Sequence, residues 1–467
     1  MRSRTALAVS GGLVVVGLVA AGWAAGFALG APEPVATTSS AAAPVDAMTT
    51  PPVTATPSPT PTATASTVAR TCSVADAAQD PRLHRFQGRV INARTGEVLF
   101  DRGGTTPSRA ASVMKVLTSA AALEVLGPDH RLTTKVVQGS APGTIVLVGG
   151  GDVTLSRTPA GTTTAYAGAP HLSTLARQVK TAWKAAHPDV PISHVVLDAS
   201  YFGGPSWQPS WDTKERRLGS TPKMTALMVD GDRADPSANT SPRGTDPVGR
   251  AGAAFAAYFG SGVTVSRGTA PAGAAVLGSV RSQPVSTLIQ QELIVSDNTL
   301  AEALARVTAI EAATGNTFSA IDAAVVPALR AYGIDTAGIR VVDGSGLSDD
   351  DRIPPAYLTK LFVKVLHEAD GLGPIYAGLP VAGRTGSLSY SDRFTGSASR
   401  ADGHVRAKTG WIDSGYTLAG IIRAKDGTPL TFAFYALGPA IVSPSAKTAL
   451  DALTADVWSC GNRLSDE

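Results

Sequence analysis

Three short strings carry side chains that together could perform acyl transfer. They are Ser112-Val113-Met114-Lys115, Ser296-Asp297-Asn298 and Lys408-Thr409-Gly410, in that order along the chain. The first supplies a hydroxyl and an amine, the second a hydroxyl and an amide, and the third a cation beside a glycine. Covalent catalysis by serine requires a nucleophile, a base that activates it and donors that stabilise the oxyanion. The ordered set therefore predicts a covalent serine intermediate.

The chain also contains two decoys, which we define as copies of the same spacings elsewhere. Ser220-Thr221-Pro222-Lys223 repeats Ser-x-x-Lys, and Ser237-Ala238-Asn239 repeats Ser-x-Asn. The first precedes an alternating run, residues 225–229, that predicts a strand. The second lies among Asp-Pro and Ser-Pro pairs, which are typical of a loop. Neither decoy belongs to an extended helical pattern, so the sequence favours the other copies as functional.

Apolar periodicity predicts the elements that position the three strings. A helix from about residue 110 to 126 places Ser112 at its beginning and Lys115 one turn later on the same face. The second string interrupts a helical tract, residues 285–310, and the third lies in an extended run, residues 403–412. A serine at a helix N-terminus lies among free backbone N–H groups, which suit a developing oxyanion.

The remaining patterns predict a sheet covered by helices. Residues 88–92 and 97–101 form a hairpin pattern, and residues 416–423 and 429–437 form a second one after the Lys-Thr-Gly run. An amphipathic helix over about residues 445–459 follows. These elements predict an α/β (α+β) layered fold.

Composition restricts the class of protein. The chain has 467 residues, of which 43% are apolar and 16% charged, with a formal charge of +3. These values are typical of a globular protein, and they give no argument for a nucleic-acid partner. The sequence has neither a Cys-x-x-Cys nor a His-Glu-x-x-His spacing. We therefore expect no metal and no cofactor.

The N-terminal segment predicts export from the cytoplasm. Arg2 and Arg4 precede an uncharged, mostly apolar run that reaches residue 31. Residues 1–31 therefore form either a cleaved signal peptide or a membrane anchor. Residues 32–70 are rich in Pro, Thr, Ser and Ala, and they form either a stalk or a permissive linker. Both alternatives place the body outside the cytoplasmic membrane, with membrane contact through the N-terminal segment alone.

The two cysteines, Cys72 and Cys460, lie near the two ends of the predicted body. An oxidising compartment favours a disulfide between them. The alternative is a pair of unpaired thiols.

The three strings, in this order, are similar to the signature of penicillin-binding proteins and serine β-lactamases. Other strings resemble one branch, the class C low-molecular-mass D-alanyl-D-alanine carboxypeptidase/endopeptidases; they are residues 149–155, 198–202, 343–348, 383–388 and 392–394. The resemblance implies a penicillin-binding-protein/β-lactamase-like transpeptidase domain, with an antiparallel sheet flanked by helices.

The gap of 184 residues between Ser112 and Ser296 is much longer than in β-lactamases. The resemblance therefore implies an inserted domain, residues 134–284, within a catalytic domain made of residues 71–133 and 285–467.

The resemblance also implies a role for each site residue. Ser112 would be the nucleophile and Lys115 its base, with a pKa lowered by burial and by the charge of Lys408. Ser296 would relay a proton to the leaving amine, and Asn298 would orient Lys115 and the substrate. In the third string, Lys408 and Thr409 would bind the substrate carboxylate and Gly410 would let the substrate backbone approach. The backbone N–H groups of Ser112 and Trp411 would hold the oxyanion.

The implied partners are the peptidoglycan stem peptide as substrate and β-lactam antibiotics as inhibitors. Two positions depart from the family pattern: Trp411 stands where a threonine is usual, and Asp349 where a basic residue is common. Three alternatives stay open, namely a serine β-lactamase, a catalytically silent wall scaffold, and an endopeptidase in place of or besides a carboxypeptidase.

Overall fold

Two five-stranded sheets organise residues 68–466, the part of the chain that this computed structural model describes. The strands are β1 (Cys72–Ser73), β2 (Arg85–Asn92), β3 (Val98–Arg102), β4 (Thr133–Gln138), β5 (Thr144–Val148), β6 (His194–Asp198), β7 (Thr264–Arg267), β8 (Val276–Arg281), β9 (Val405–Ile412), β10 (Gly415–Arg423), β11 (Pro429–Leu437) and β12 (Leu464–Ser465). The α-helices are α1 (Ala75–Ala78), α2 (Met114–Leu126), α3 (Leu172–Ala186), α4 (Lys214–Leu218), α5 (Pro247–Ala256), α6 (Val285–Val295), α7 (Asn298–Glu311), α8 (Ile321–Arg330), α9 (Pro355–Leu366), α10 (Gly373–Gly378) and α11 (Ser445–Cys460).

The first sheet is antiparallel, in the order β3-β2-β11-β10-β9, and the third string lies in its edge strand β9. Its neighbour in the sheet, the interior strand β10, is buried from Gly415 to Ile422 because both faces of the sheet are covered. Ala419 and Ile421 pack into the helical core around α2, whereas Leu418 and Ile422 pack into a second core with α11. The side-chain period of two in a strand thus divides one apolar run between two cores.

Helix α2 lies at the centre of the helical core. Every residue from Met114 to Leu123 is buried, so the helix has no solvated face. A helix that is buried on every side is typical of the interior of a large domain. Lys115 is carried into that interior and is 0% exposed.

The second sheet is mixed, in the order β7-β6-β5-β4-β8, and uses residues 133–281 alone. Helices α3 and α5 pack against it through a core that includes Val179 and Phe255. The long connection between β6 and β7 also reaches the helical core, where Trp211 and Met224 are buried. This connection therefore belongs to both cores.

The strand predicted at residues 225–229 is wrong, since these residues are neither helix nor strand. Ala226 and Met228 are buried in the helical core, whereas Leu227 and Val229 are buried in the core of the second sheet. The alternation arises because an irregular segment passes between two apolar cores. Burial on two sides produces the same sequence pattern as a strand.

The first and last described strands, β1 and β12, pair in parallel. A disulfide between Cys72 and Cys460 lies beside this pair. Residues 1–67, which include the predicted export segment and most of the predicted linker, lie outside the described residues. From residue 68 to 466, no helix is both long and apolar enough to cross a bilayer.

Candidate active site

All three strings meet at one cleft of about 680 Å³. Ser112, Ser296, Asn298, Thr409 and Gly410 line it, together with Trp411. The two lysines of the strings lie behind this lining and are both 0% exposed. The convergence that the sequence requires is therefore present in the tertiary structure.

Ser112 lies in a single 3₁₀ turn, Ala111–Val113, that precedes α2. The prediction of a helix start is correct to one residue, but the hydroxyl lies on the tighter turn rather than on α2 itself. Ala111 has a φ of +47°, a left-handed value that is uncommon for a residue with a side chain. The backbone at Gly346 packs so closely that a Cβ there would stand 1.9 Å from the Ala111 oxygen. A strained backbone next to the nucleophile is held in place by tight packing.

Lys115 makes three hydrogen bonds. Its Nζ lies 2.9 Å from Ser112 Oγ, 2.6 Å from Asn298 Oδ1 and 2.8 Å from the Ser345 carbonyl oxygen. The two carbonyl oxygens can only accept, so each takes one N–H of the amine. A neutral amine then keeps its lone pair for the Ser112 hydroxyl proton. This arrangement suits a base that is poised to remove that proton.

The electrostatic surroundings favour the same state of Lys115. Burial lowers the pKa of this amine to about 8, while the buried carboxyl of Glu292 opposes the shift most strongly. The sequence attributed part of the lowering to Lys408, but desolvation is the main cause. With this pKa, roughly a fifth of the amine is neutral near pH 7.4, against roughly a thousandth at its ordinary value.

The second string forms the junction between α6 and α7. Ser296 adopts a left-handed conformation, φ 61° and ψ 46°, directly after α6 ends. Asp297 caps α7 because its Oδ1 accepts the Leu300 N–H at 2.9 Å. Asn298 then begins α7 and directs Oδ1 to Lys115. The interruption that the sequence predicts is thus a tight turn between two helices.

Lys408 reaches the site from β9 as a second buried amine. Its Nζ donates to Ser296 Oγ at 2.8 Å and to the Thr409 carbonyl oxygen at 2.7 Å. Burial, and then the nearby charge of Lys115, lower the pKa of Lys408 well below its ordinary value. Thr409 Oγ1 lies 2.8 Å from Ser387 Oγ, a partner to which the sequence assigned no role.

Gly410 holds β9 against the turn that carries Ser112. A Cβ at this position would stand 2.1 Å from Thr417 Oγ1 and 2.8 Å from the Ala110 carbonyl oxygen. Thr417 in turn donates to that oxygen at 2.7 Å. The protein's own packing therefore requires glycine here, whereas the sequence analysis related it to the approach of substrate. Trp411 follows with an indole that is 51% exposed at the cleft.

Glu292 is a buried group that the sequence analysis missed. It lies four residues before Ser296 on α6, and its backbone oxygen accepts the N–H groups of Ser296 and Asp297. Burial raises the pKa of its carboxyl well above the ordinary value, although Lys115 acts in the opposite direction. The only available signal was an acidic residue within an apolar stretch of helix, and such residues are ordinarily solvated.

The connection between β6 and β7 forms one wall of the cleft, including residues of both decoys. Ser220 and Asn239 line the cleft, as do Lys214 and Arg243. Ser220 follows the end of α4, and its N–H donates to the Glu215 carbonyl oxygen at 2.9 Å. A helix C-terminus offers carbonyl oxygens rather than N–H groups, so this serine lacks the donors that surround Ser112. The decoys therefore differ in surroundings from the strings that the sequence favours, yet residues of both decoys line the cleft.

The cleft contains no metal-binding arrangement in the part of the chain described. Between residues 68 and 466, no group of three or more His, Cys, Asp or Glu side chains could hold an ion.

Comparisons with known proteins agree on one family. The sequence model of the D-Ala-D-Ala carboxypeptidase 3 (S13) family matches residues 70–259 and 241–457. Carboxypeptidase DacB of Mycolicibacterium smegmatis is 38% identical over 394 residues, which cover 83% of this chain and 84% of that protein. A carboxypeptidase of Mycobacterium tuberculosis is 36% identical over 399 residues, which cover 84% of each chain.

The solved structures show the fold that the sequence predicted. Penicillin binding protein 4 of Haemophilus influenzae aligns with a TM-score of 0.67 at 18% identity, covering 82% of this chain and 98% of that chain. At this identity the likeness concerns the fold alone.

Proposed function

The chain belongs to the D-Ala-D-Ala carboxypeptidase 3 (S13) family, and on this premise we propose that Ser112 is its nucleophile. The protein is a serine-type D-alanyl-D-alanine carboxypeptidase that acts on peptidoglycan. One observation carries the assignment of Ser112: its Oγ lies 2.9 Å from Lys115 Nζ. The two N–H groups of that amine, in its neutral form, are used by the carbonyl oxygens of Asn298 and Ser345.

In acylation, Ser112 Oγ attacks the carbonyl carbon of the D-Ala-D-Ala peptide bond. Lys115 Nζ takes the hydroxyl proton while the carbonyl oxygen becomes an oxyanion. The backbone N–H groups of Ser112 and Trp411 stabilise this oxyanion, and one such donor contributes ~3–4 kcal/mol to the lowering of a barrier. Collapse of the tetrahedral intermediate breaks the C–N bond and leaves the acyl group on Ser112.

The leaving D-alanine needs a proton on its amine. Ser296 donates its hydroxyl proton and regains one from Lys115, so the proton taken from Ser112 ends on the product. What supports this path is the position of Ser296 in the cleft lining, in the same turn as Asn298, whose Oδ1 lies 2.6 Å from Lys115 Nζ. Water then attacks the acyl carbon while Lys115 accepts its proton. The C–O bond to Ser112 breaks, Ser112 Oγ regains that proton from Lys115, and the shortened peptide leaves.

Lys408 and Thr409 bind the terminal carboxylate of the substrate. The buried amine of Lys408 gains a counter-charge when that carboxylate arrives, which favours its protonated form. Ser387 lies in hydrogen-bond contact with Thr409, so it orients the threonine hydroxyl. Because one of the two hydroxyls donates to the other, the pair leaves one O–H free to donate to the carboxylate beside the cation.

We propose that residues 134–284 form an inserted domain within a catalytic domain of residues 71–133 and 285–467. The separate sheet of residues 133–281 supports this division.

We also propose that residues 1–31 direct export and that the body acts outside the cytoplasmic membrane. The Cys72–Cys460 disulfide supports an oxidising compartment.

The experiment is mass spectrometry of the full chain after treatment with benzylpenicillin, which mimics D-Ala-D-Ala. We expect one penicilloyl adduct on the peptide that contains Ser112, none in Ser112→Ala, and an undiminished adduct in the decoy variant Ser220→Ala. Release of D-alanine from a diacyl-D-Ala-D-Ala peptide should disappear in Ser112→Ala as well. An adduct on any other residue would overturn the assignment, and rapid turnover of nitrocefin would favour the β-lactamase alternative.

A further inference from the structure

A buried ion pair joins the β6–β7 connection to the second string. Arg233 Nη2 lies 2.5 Å from Asp297 Oδ2, and the two side chains are 1% and 4% exposed. The residues are 64 positions apart in sequence. A buried pair of this kind is strongly destabilising to break from one side, because the remaining charge has no partner.

Asp297 uses its two carboxylate oxygens for two different contacts. Oδ1 caps α7 through the Leu300 N–H, and Oδ2 accepts the guanidinium of Arg233. Asp297 lies between Ser296, whose backbone is left-handed, and Asn298, which holds Lys115. The orientation of this one carboxylate therefore fixes the turn from which both neighbouring side chains project.

The guanidinium of Arg233 is held from the other side by its own segment. Nε and Nη2 each donate to the Asn239 carbonyl oxygen at 3.2 Å, and Nη1 donates to the Asp230 carbonyl oxygen at 3.1 Å. The guanidinium carbon also lies 4.6 Å from the centre of the Tyr166 ring. A planar fork of five donors can make these contacts at once, which an ammonium group cannot.

We propose that Arg233 is a positioning residue for acylation, which ties the Ser296-Asp297-Asn298 turn to the cleft wall formed by residues 239–243. The inference rests on the proposed function, because it concerns the same nucleophile and base. It assigns to the inserted segment a part in the reaction. Without the guanidinium, the turn loses the contact that keeps Ser296 in its left-handed conformation. The side chain of Asn298 is then no longer fixed beside Lys115.

The test measures acylation of the full chain by a chromogenic β-lactam, separating the maximal rate constant from the half-saturating concentration. We expect Arg233→Met to lower the maximal rate constant ~10²-fold, since a small misplacement of reacting groups costs about that much. The half-saturating concentration should stay within ~3-fold, because Arg233 does not face the ligand. A loss confined to the half-saturating concentration would overturn the proposal.

A double-mutant cycle separates positioning from general loss of stability. Asp297→Asn keeps a good helix cap but removes the charge, so we expect a smaller, ~10-fold loss. In the Asp297→Asn background, Arg233→Met should then cost less than ~3-fold, since residues in contact are not additive. An undiminished ~10²-fold loss in that background would overturn the proposal.

Arg250→Met is the matched control within the same segment. Arg250 donates to the carbonyl oxygens of Asp232 and Arg233 and pairs with the buried Asp232, yet it does not contact the turn. We expect its melting temperature to fall while the maximal acylation rate constant of the folded protein stays within ~3-fold. A ~10²-fold loss here would overturn the proposal. If the wild-type chain were not acylated at Ser112, the proposed function would fail instead.

Discussion

The two Ser-x-x-Lys strings of this chain have the same spacing but different surroundings. In the first, Ser112 lies on the turn before α2, and Lys115 is 0% exposed with three hydrogen-bond partners. In the second, Ser220 follows the end of α4, and Lys223 lies on irregular backbone. The chemistry of the spacing therefore depends on a helix that begins at the serine and on a core that desolvates the lysine.

The two Ser-x-Asn strings differ in the same way. Ser296 and Asn298 flank a junction of two buried helices, so their side chains are fixed. Ser237 is exposed and donates to Asp235, while Asn239 contributes its backbone oxygen to Arg233. The second copy thus serves the first through its backbone rather than through its own side chains.

Replacing the lysine of each Ser-x-x-Lys string should give the largest difference in acylation rate between the two strings. Lys115→Met removes the base, and general-base catalysis contributes up to ~10⁴-fold, so we expect acylation by a chromogenic β-lactam to fall by about that factor. Lys223→Met is the matched control and should leave the acylation rate within ~2-fold, as for an ordinary surface substitution. Equal losses in the two variants would contradict the distinction between the strings.

Replacing the serine of each Ser-x-Asn string should give the next largest difference, measured as the rate of peptide hydrolysis. Ser296→Ala removes the proton donor to the leaving amine, and we expect hydrolysis of a D-Ala-D-Ala peptide to fall ~10²-fold. Ser237→Ala should change the same rate by less than ~2-fold, because this exposed side chain lies away from the reacting groups. A Ser296→Ala enzyme with normal turnover would show that the amine receives its proton elsewhere.

The pH dependence of acylation should report the burial of Lys115. Its pKa is lowered to about 8, so the amine is protonated and inactive below that pH and is a free base above it. We expect the acylation rate to rise ~10-fold per pH unit below 8 and to level off above it. Lys223→Met should reproduce this profile. A rate that is flat from pH 6 to 9 would contradict Lys115 as the titrating base.

The smallest expected effect lies next to the third string. Trp411→Thr restores a hydroxyl beside the substrate carboxylate, and a hydrogen bond of this kind should raise kcat/KM for a D-Ala-D-Ala peptide by about 3- to 10-fold. The exposed position of Trp411 should let the fold tolerate the change. Steady-state kinetics would check this, and an unchanged kcat/KM would show that the indole does not limit binding of the carboxylate.

Most elements near the site follow from local sequence patterns. The amphipathic helix predicted at about residues 445–459 coincides with α11, and the two predicted strands after Lys-Thr-Gly coincide with β10 and β11 to within one residue. These patterns succeed because each element is a regular helix or strand, whose side-chain period matches the burial of its faces. The pattern at residues 225–229 failed because an irregular segment that passes between two cores shows the same alternation as a strand.

The residues that surround the catalytic strings were harder to predict. Arg233 and Asp297 meet across 64 positions, and Glu292 is acidic yet 0% exposed. The Ser345 carbonyl oxygen is the third hydrogen-bond partner of Lys115. Every residue type has a backbone carbonyl, so the residue type at this position does not indicate the contact. Backbone acceptors and long-range charge pairs leave no periodic signal, so only the fold reveals them.

The sequence by itself determined which chemical groups are available, their order along the chain and the elements that carry them. Residue types and short-range periodicity are sufficient for that, because a helix or a strand is set by neighbours in sequence. The tertiary structure alone decided that Lys115 is desolvated, with its pKa lowered to about 8 and three hydrogen-bond partners, and that Asp297 is paired with Arg233. Desolvation and ion pairing depend on what surrounds a group in space, and residues distant in sequence supply those surroundings.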